Sequence, residues 1–409
     1  MSEQHILFVS VQGHGHVYPS LGVVSELVGR GHRVTYLTTP LFDDEVTAAG
    51  AEVAHYRSVF DDVHVPDMVA MDDAEAQLHL IYLRENVAIL EAAEAACDDD
   101  VPDLVVYDVF PFVAGRLLAT RWRRPAVRLS PIFAANEHYS IFEALWQSAG
   151  FRHPADVPAF RPAMVELLAA YGLSTPIREF WDAVEDLNIV FIPKSFQIAG
   201  ETFDERFVFV GPSISPQRLE RKWRPPDPER RIALVSLGNQ FNEHPEFFRA
   251  CAEAFAGTPW HLVMAIGGFL DPAALGPMPP NVEVHPWVSF MDVLPQARVF
   301  ITHGTTGAVM EALYWGCPLV VVPHFASEAA PSANRVVDMQ LGYRLGPDRI
   351  DPATIYDTAR RVADDQNVAQ RVLALQAEIR AAGGPRLAAD AIESYLTNVQ
   401  SPVTAGTAR

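Results

Sequence analysis

The feature that most constrains the fold of this chain is a strand–turn–helix–strand pattern between residues 297 and 323. The apolar run Ala297–Thr302 leads into the turn His303–Gly307, a helical stretch follows, and a second apolar run covers Leu319–Val322. Such alternation predicts parallel strands with covering helices. The glycine-containing turn opens a helix N-terminus, where free backbone N–H groups and the helix dipole suit a phosphate. It matches neither the dinucleotide fingerprint nor the P-loop, so an ordinary connecting turn is the alternative interpretation.

The same alternation runs through both halves of the chain. At 409 residues the chain is too long for one hydrophobic core, which indicates two domains. The predicted fold class is α/β, with a parallel sheet covered by helices on both faces in each half. The predicted strands are His5–Val11, Arg33–Leu37, Leu104–Val109, Ala126–Leu129, Ile189–Ile192 and Phe207–Val210, then Ile232–Leu237, Trp260–Ile266 and Val282–Val288; long helical stretches follow over 352–382 and 385–397.

A proline-rich segment, 212–230, separates the two halves. It holds five prolines and a charge cluster without a hydrophobic period, which is typical of a linker. We therefore predict an N-terminal domain over 1–211 and a C-terminal domain over 231–384, with a helix over 385–398 that crosses back to the N-terminal domain. Residues 399–409 are expected to form a disordered tail. Two such domains enclose a cleft, and ligands of open parallel sheets bind beyond the carboxyl ends of the strands.

Composition argues against several classes of partner. The 51 acidic residues outnumber the 31 basic ones, and the resulting formal charge of −20 argues against nucleic acid or an anionic membrane as a ligand. No run reaches the roughly 18 uninterrupted apolar residues of a membrane span. The widely spaced Cys97, Cys251 and Cys317 favour a reducing compartment over a disulfide framework or a metal site. Because the first residues also lack the basic region of a signal peptide, we expect a cytoplasmic protein.

Two strand ends in the first half carry residues suited to acid–base chemistry. The first strand is followed by a glycine turn with His14 and His16 ahead of Pro19, and Asp108 ends the strand that begins at Leu104. A histidine and an aspartate at the ends of neighbouring parallel strands can meet, and the carboxylate then fixes the imidazole tautomer and stabilises its protonated form. We interpret them as a catalytic pair; two unrelated loop residues are the alternative. No nucleophile elbow accompanies them, so a hydrolase triad is not indicated.

The strand ends of the second half suggest a nucleotide site. Trp287 follows a strand, where its ring suits either stacking on a base or a place in the core. His303 and the backbone amides of Gly304–Gly307 are suited to a diphosphate. Glu311 lies one turn further along the helix and is suited to accept hydrogen bonds from ribose hydroxyls.

An aromatic-rich segment, 133–181, is inserted between the strands of the first half and shows no clear strand of its own. Aromatic side chains with few polar groups are typical of the walls of apolar ligand pockets. The candidate acceptor-binding residues are Phe112, Phe133, Tyr139, Phe142 and Trp146. Core filling is the alternative interpretation.

Taken together, these motifs resemble the GT-B glycosyltransferases of family 1, which use nucleoside-diphospho sugars, and in particular the bacterial enzymes of macrolide and enediyne antibiotics. The resemblance rests on GHVYP after the first strand, Asp108 at a strand end, SLG-N at 236–239, PWV at 286–288 and THG-TG-E ending at Glu311. It implies two Rossmann-like, doubly wound domains that face each other across a cleft. The N-terminal domain would bind the acceptor and the C-terminal domain the donor.

The resemblance also implies roles for single residues. His16 matches the catalytic base and Asp108 its partner, whereas His14 is expected to be structural. The implied reaction is inverting, with no cofactor and no metal; the acidic runs at 72–73 and 98–100 are interpreted as solvated surface. The residues expected to bind the donor are Gly13, Ser236, Gly238, Asn239, Trp287, Val288, His303, Gly304, Thr305, Thr306, Gly307, Glu311, Ser327 and Glu328.

Two departures from the family pattern bear on the donor. Ser327 and Glu328 stand where the family often carries an Asp-Gln pair for a fully oxygenated hexose, and Thr305 and Thr306 replace residues usual in the phosphate turn. The first departure suggests a donor that lacks some hydroxyls or carries an amine, so we expect a deoxysugar carried by thymidine diphosphate; the second leaves phosphate binding by the backbone intact. The resemblance implies transfer to a hydroxyl of a lipophilic secondary metabolite in antibiotic biosynthesis or tailoring. The alternatives are a UDP-glucose-dependent macrolide-inactivating transferase, a nucleotide-sugar epimerase and a non-catalytic auxiliary protein. Expected partners are thus small molecules, with a homodimer left open.

Overall fold

The first of two parallel sheets organises the N-terminal half of the protein. The computed structural model describes residues 3–63, 67–68, 71–219, 223–238, 242–323 and 329–400. Seven strands lie in the order β3-β2-β1-β4-β5-β6-β7, with every neighbouring pair parallel. They are β1 (His5–Val9), β2 (Arg33–Thr38), β3 (Glu52–His55), β4 (Leu104–Asp108), β5 (Ala126–Ser130), β6 (Asn188–Val190) and β7 (Phe207–Phe209).

The second sheet repeats this plan in the C-terminal half. Six parallel strands lie in the order β10-β9-β8-β11-β12-β13. They are β8 (Arg231–Ser236), β9 (Trp260–Ala265), β10 (Val282–His285), β11 (Ala297–Thr302), β12 (Leu319–Val321) and β13 (Gly342–Arg344). In each sheet the strand order reverses beside the first strand, between β1 and β4 and between β8 and β11. Such reversals open a crevice at the carboxyl ends of the strands. The predicted two-domain α/β architecture is confirmed.

The strands are buried on both faces, which accounts for their nearly continuous apolar sequences. Every residue of β1, β4 and β5 is buried, as is every residue of β9 and β12. The helices that cover the sheets are α1 (His14–Gly29), α2 (Asp43–Ala48), α3 (Ala74–Cys97), α4 (Phe112–Trp122), α5 (Ile141–Ala149), α6 (Phe160–Ala170), α7 (Ile177–Asp182), α8 (Pro245–Phe255), α9 (Phe290–Val293), α10 (Thr306–Tyr314), α11 (Ala330–Asp338), α12 (Pro352–Asp364), α13 (Gln366–Ala381) and α14 (Gly384–Gln400). Within the described ranges, none of these helices is long and apolar enough to cross a membrane.

The predicted helical stretch 352–382 is two helices, α12 and α13, that meet at Asp365. The backbone of Asp365 is extended, and its side chain accepts hydrogen bonds from the backbone N–H groups of Asn367 and Val368. A carboxylate in this position caps a new helix N-terminus and so ends the preceding helix. Buried positions recur every three or four residues up to Val362 and again from Val368, so each side of the junction has a helical pattern and the sequence did not reveal the break.

The last helix, α14, packs against the N-terminal half of the molecule. Ala388, Ala389, Ile392 and Leu396 are completely buried in the core that also contains residues of α1 and β1. Glu393 accepts a hydrogen bond from the ring of His32 at 3.1 Å. After completing the C-terminal sheet, the chain therefore returns to the N-terminal sheet. The two halves are thus connected twice, once by the linker and once by α14.

A third contact between the halves lies beside the cleft. Phe133 and Phe196 are fully buried and belong to a core that includes Ala333 and Val336 of α11. Arg335 of the same helix donates to the carbonyl oxygen of Phe196 at 3.0 Å. This contact helps to set the position of the C-terminal half relative to the N-terminal half.

Candidate active site

The histidine and the aspartate predicted to form a pair lie together at the carboxyl edge of the first sheet. β1 and β4 are neighbours in register, with Val9 opposite Tyr107, so the turn after β1 meets Asp108. Nδ1 of His16 is 3.0 Å from each carboxylate oxygen of Asp108. The Asp108 side chain is 3% exposed and that of His16 19% exposed, which leaves the histidine accessible from the cleft.

The carboxylate of Asp108 fixes the orientation of the His16 ring. An ionised carboxylate only accepts hydrogen bonds, so Nδ1 of His16 carries the proton and Nε2 is left as the acceptor. Oδ1 of Asp108 also accepts a hydrogen bond from the backbone N–H of Phe110 at 3.0 Å. The Phe110 ring meets the His16 ring edge-on, with 4.8 Å between centroids. The imidazole is thus held from two sides in the state that a general base requires.

The other histidine of the turn, His14, takes no part in this pair. Its ring packs edge-on against Tyr18 and Phe42, with centroids 5.1 Å apart in both cases. Burial lowers the pKa of His14, which favours its neutral form. These contacts agree with the structural role expected for this residue.

A buried carboxyl group, not anticipated from the sequence, supports the turn that leads to His16. The backbone N–H of Gln12 donates to the hydroxyl of Tyr56 at 3.0 Å, and this hydroxyl donates to Glu85 at 2.8 Å. Glu85 is fully buried and also accepts from Ser58 and from the backbone N–H of Val59, each at 2.8 Å. Burial raises the pKa of Glu85, while these hydrogen bonds oppose the shift. A glutamate within a helical sequence pattern is normally interpreted as a charged surface residue. No local feature of the sequence therefore indicated that Glu85 is buried.

On the opposite side of the cleft, His303 follows β11 and lies against the turn after β8. The residue is 4% exposed, and this burial lowers the pKa of His303 to about 4. A hydrogen bond to the backbone of Ser236 acts in the opposite direction and raises the pKa, but burial is the larger effect. The hydroxyl of Ser236 accepts from the backbone N–H of Gly238 at 3.1 Å. Gly238 has φ +77°, and a Cβ there would lie 2.7 Å from Cε1 of His303. The close approach of turn and ring therefore requires glycine at this position.

The predicted phosphate turn leads directly into α10, with Thr305 as the N-cap residue. Gly304 has φ +96°, a conformation that glycine adopts readily. The hydroxyl of Thr306 is 2.6 Å from that of Ser332 on the next helix, which fixes the first turn of α10. The N–H groups of this turn, including that of Gly307, have no partner within the helix and present positive dipole to the crevice.

The glutamate expected at the ribose, Glu311, is already paired. Nη2 of Arg218 donates to Oε1 of Glu311 at 2.7 Å, and the two side chains are 20% and 16% exposed. Arg218 lies in the linker, in a short helical turn over Pro216–Leu219. Its guanidinium carbon is also 4.6 Å from the centre of the Tyr18 ring on α1. No sequence signal pointed to Arg218, because its partners are 93 and 200 residues away.

The structure describes three further residues that the sequence predicted to bind the donor. Trp287 is 59% exposed in the loop after β10, so it belongs to the surface and not to the core, whereas Val288 is buried. Gly13 is the N-cap of α1, and a Cβ there would meet the His16 ring at 3.3 Å. Asn239, Ser327 and Glu328 lie outside the described residues.

Aromatic rings of the N-terminal half extend from His16 along that side of the cleft. Phe110 stacks on Tyr82 at 5.7 Å and meets Phe142 edge-on at 5.8 Å, and Phe142 stacks on Trp146 at 6.0 Å. Phe142 and Trp146 are partly exposed, as expected of a pocket wall. Phe110 and Tyr82 had not been predicted from the sequence, since they lie outside the aromatic-rich segment.

Two of the predicted acceptor residues lie behind this surface. Phe112 is 3% exposed and Phe133 is fully buried, so both support the wall from the core without presenting a face to the cleft. Tyr139 is half-buried, packs edge-on against Phe133 at 6.2 Å, and its hydroxyl has no hydrogen-bond partner among the described residues. Burial raises the pKa of Tyr139. The sequence identified the aromatic segment but not which rings face outward.

The acidic runs behave as surface groups where the structure describes them. Asp98 accepts hydrogen bonds from Arg121 at 2.8 Å and from Trp122 at 2.9 Å, and the first of these lowers the pKa of its carboxyl group. Across the described part of the chain, no group of three or more histidine, cysteine, aspartate or glutamate side chains is arranged to hold a metal ion.

Comparisons with known proteins agree along nearly the whole chain. Residues 269–394 match a family model described as the erythromycin biosynthesis protein CIII-like C-terminal domain. The NDP-glycosyltransferase YjiC of Bacillus licheniformis is 36% identical over 97% of this chain and 98% of its own. The demethyllactenocin mycarosyltransferase of Streptomyces fradiae is 36% identical over 96% of this chain and 87% of its own. The crystal structure of CalG4, the calicheamicin glycosyltransferase, is 63% identical with a TM-score of 0.90, covering 98% of this chain and 100% of that one.

Proposed function

The chain belongs to the family 1 glycosyltransferases of the GT-B fold, and we propose that it transfers a deoxysugar from a thymidine-diphosphate donor to a hydroxyl group of a lipophilic natural product. The proposed transfer inverts the anomeric centre and uses neither a metal nor another cofactor. The observation that carries the proposal is the contact of His16 with Asp108 at 3.0 Å, in the turn where two parallel strands end.

In the proposed mechanism, Nε2 of His16 takes the proton from the acceptor hydroxyl while the oxygen attacks the anomeric carbon. The bond from that carbon to the diphosphate oxygen breaks at the same time, and the diphosphate leaves with the bonding electron pair. Asp108, already hydrogen-bonded to Nδ1, stabilises the imidazolium that forms. One nucleophile attacking from the face opposite the leaving group inverts the centre.

The leaving diphosphate is proposed to be stabilised by His303 and by the N-terminus of α10. Burial keeps the pKa of His303 near 4 while its ring is hydrogen-bonded to the Ser236 backbone, so the ring is neutral at pH 7. A neutral imidazole carries one N–H, and a second donor appears only on protonation. A bound diphosphate supplies the negative charge that favours this protonation. We therefore expect donor binding to take up a proton, with electrostatic stabilisation in place of a metal.

The acceptor is proposed to bind against the partly exposed rings of Phe142 and Trp146, which continue from His16 through Phe110. Flat apolar surfaces of this kind suit a hydrophobic or aromatic aglycone. The names of two relatives support a natural-product acceptor, because one is called the calicheamicin glycosyltransferase and the other demethyllactenocin mycarosyltransferase. The Ser327-Glu328 departure supports a donor with fewer hydroxyl groups.

The test compares His16→Ala with His14→Ala, a matched variant from the same turn. Purified protein is given thymidine- and uridine-diphospho sugars with a panel of lipophilic acceptors, and products are followed by mass spectrometry. Loss of a general base typically costs about 10²–10⁴-fold in rate, so His16→Ala should bind donor normally but transfer slowly, while His14→Ala retains most activity. A chelator should leave the rate unchanged.

Near-normal turnover of His16→Ala would contradict the proposed mechanism. Formation of a modified sugar nucleotide without an acceptor would instead indicate an epimerase. Absence of both reactions in the purified chain, with donor still bound, would indicate an auxiliary role.

A further inference from the structure

The arginine on Glu311 has no role in the mechanism above. Arg218 joins three parts of the chain: the linker that carries it, Glu311 on α10 at 2.7 Å, and the Tyr18 ring on α1 at 4.6 Å. Both charged side chains are at least four-fifths buried, at 20% and 16% exposure. An arginine sheltered on an aromatic face and paired with a carboxylate has a well-defined position.

Pairing with Arg218 changes what Glu311 offers to a ligand. A carboxylate has two oxygens, and both are available to the two neighbouring hydroxyls of a ribose when the side chain is unpaired. Here Oε1 accepts from Arg218, and among the described residues no donor reaches Oε2. One oxygen therefore remains for a sugar hydroxyl, and a second hydroxyl beside it would have to compete with the guanidinium.

We propose that Arg218 is a specificity-determining residue that reads the 2′ position of the donor nucleotide and favours 2′-deoxyribonucleoside diphosphates. A 2′-deoxyribose carries a single ring hydroxyl, at C3′, and this matches the single free oxygen of Glu311. A ribose presents its additional 2′-hydroxyl to the side of Glu311 that Arg218 occupies. This inference rests on the proposed function, because it assumes that the nucleotide lies against α10.

Tyr18 holds the guanidinium of Arg218 in its position beside Glu311. Its ring lies under the guanidinium, and its hydroxyl donates to Glu45 at 3.3 Å. Burial is the main cause that raises the pKa of Tyr18 to about 12, so the ring stays neutral and its face remains available to the cation. Removal of the ring should loosen Arg218 without removing its charge.

The experiment measures the binding of dUDP and UDP by titration calorimetry, since the two differ only in the 2′-hydroxyl and share the same base. Competition for one charge-assisted hydrogen bond corresponds to about tenfold in affinity, so the unmodified protein should prefer dUDP by roughly that factor. Arg218→Ala frees both oxygens of Glu311 and should bring the dUDP-to-UDP ratio close to one, mainly by tightening UDP. Tyr18→Leu should give an intermediate ratio.

The control is Arg224→Ala, which removes an exposed charge from the same linker. It should keep the preference of the unmodified protein. Arg218→Lys retains the charge but not the planar fork, and it provides a folded comparison if Arg218→Ala is unstable; it should also lower the ratio.

The proposal is overturned if the unmodified protein binds UDP as tightly as dUDP, or if both Arg218 variants keep the full preference. Failure of the proposed function looks different: then neither nucleotide binds, and no titration signal appears for any variant.

Discussion

Replacement of Gly238 by alanine tests whether the fit between two turns holds His303 in place. Gly238 has φ +77°, and for a residue with a Cβ this left-handed conformation costs roughly 1–2 kcal/mol. The added Cβ would lie 2.7 Å from Cε1 and 3.0 Å from Nε2 of His303. To restore the 3.4 Å of ordinary contact, the ring must withdraw by about 0.7 Å. The substitution thus combines a backbone cost with a displacement of the residue expected at the diphosphate.

Hydrogen bonds between heavy atoms span about 2.7–3.2 Å. A displacement of the ring by about 0.7 Å exceeds the width of this range, so it would break a hydrogen bond that the ring makes to the donor. Misplacement of a catalytic group by about 1 Å can cost on the order of 10²-fold in rate. We therefore expect Gly238→Ala to lower kcat/KM for the donor by about 10- to 100-fold. The free energy of unfolding should fall by about 1–3 kcal/mol, from backbone strain and the shifted ring.

The matched control is Gly257→Ala in the same half of the molecule. Gly257 has φ +67°, but a Cβ there meets nothing within 4 Å, so the control carries the backbone strain without the clash. Calorimetric unfolding and steady-state kinetics with varied donor separate the two contributions. If Gly238→Ala matches Gly257→Ala in donor kinetics, the proposed contact has no functional weight. A double variant with both Gly238→Ala and His303→Ala completes the comparison. If the effects of the two single substitutions simply add in the double variant, the two positions do not interact, and the Cβ does not act by displacing the ring.

Three further outcomes are expected. Asp108→Asn keeps the shape but loses the charge that stabilises the His16 imidazolium, so kcat should fall by about 10²–10⁴-fold while the calorimetric affinity for nucleotide is unchanged; a parallel loss of both would point to a structural role. The pKa of His303 is about 4 in the folded protein and 6.5 in the unfolded chain. Between these values the unfolded chain binds a proton that the native state excludes, so stability falls as pH is lowered through the window. Urea unfolding should show His303→Gln losing less stability than the unmodified protein between pH 7 and 4.5, by on the order of 2 kcal/mol; equal losses would refute the assignment. Ile392→Ala opens a cavity where α14 packs on the N-terminal core and should cost about 2–5 kcal/mol in the same assay, whereas a loss within 0.5 kcal/mol would show that α14 contributes little there.

The general architecture could be predicted from the sequence because it depends on local patterns. A strand buried on both faces is a short apolar run, and a helix that covers it has its own period, so alternation of the two specifies a parallel sheet. The ends of strands were predicted less accurately than their existence. β1 ends at Val9, two residues before the apolar run in the sequence does. The break at Asp365 was missed because the sequence on each side of it has a helical pattern, and the capping hydrogen bonds that begin the new helix are visible only in the structure.

The positions of the candidate site residues could be predicted because these residues lie at or shortly after the ends of strands. Asp108 is the last residue of β4, His303 directly follows β11, and His16 lies in the first turn of α1 after β1; parallel strands bring their carboxyl ends to one edge of each sheet. The aromatic surface proposed to bind the acceptor was only partly predictable, since aromatic composition does not distinguish Phe142, which is partly exposed, from Phe133, which is buried.

The sequence by itself determined the kind of fold, the sheet edges where the candidate site lies and the residue types that stand there. The tertiary structure alone decided which distant groups meet them: Arg218 on Glu311, Gly238 under His303, and α14 on the N-terminal core. The physical reason is the separation along the chain between the groups that determine each feature. Periodicity and strand-end position are local properties of the chain, whereas an ion pair across 93 residues or a close contact between two turns arises only when the whole chain has packed.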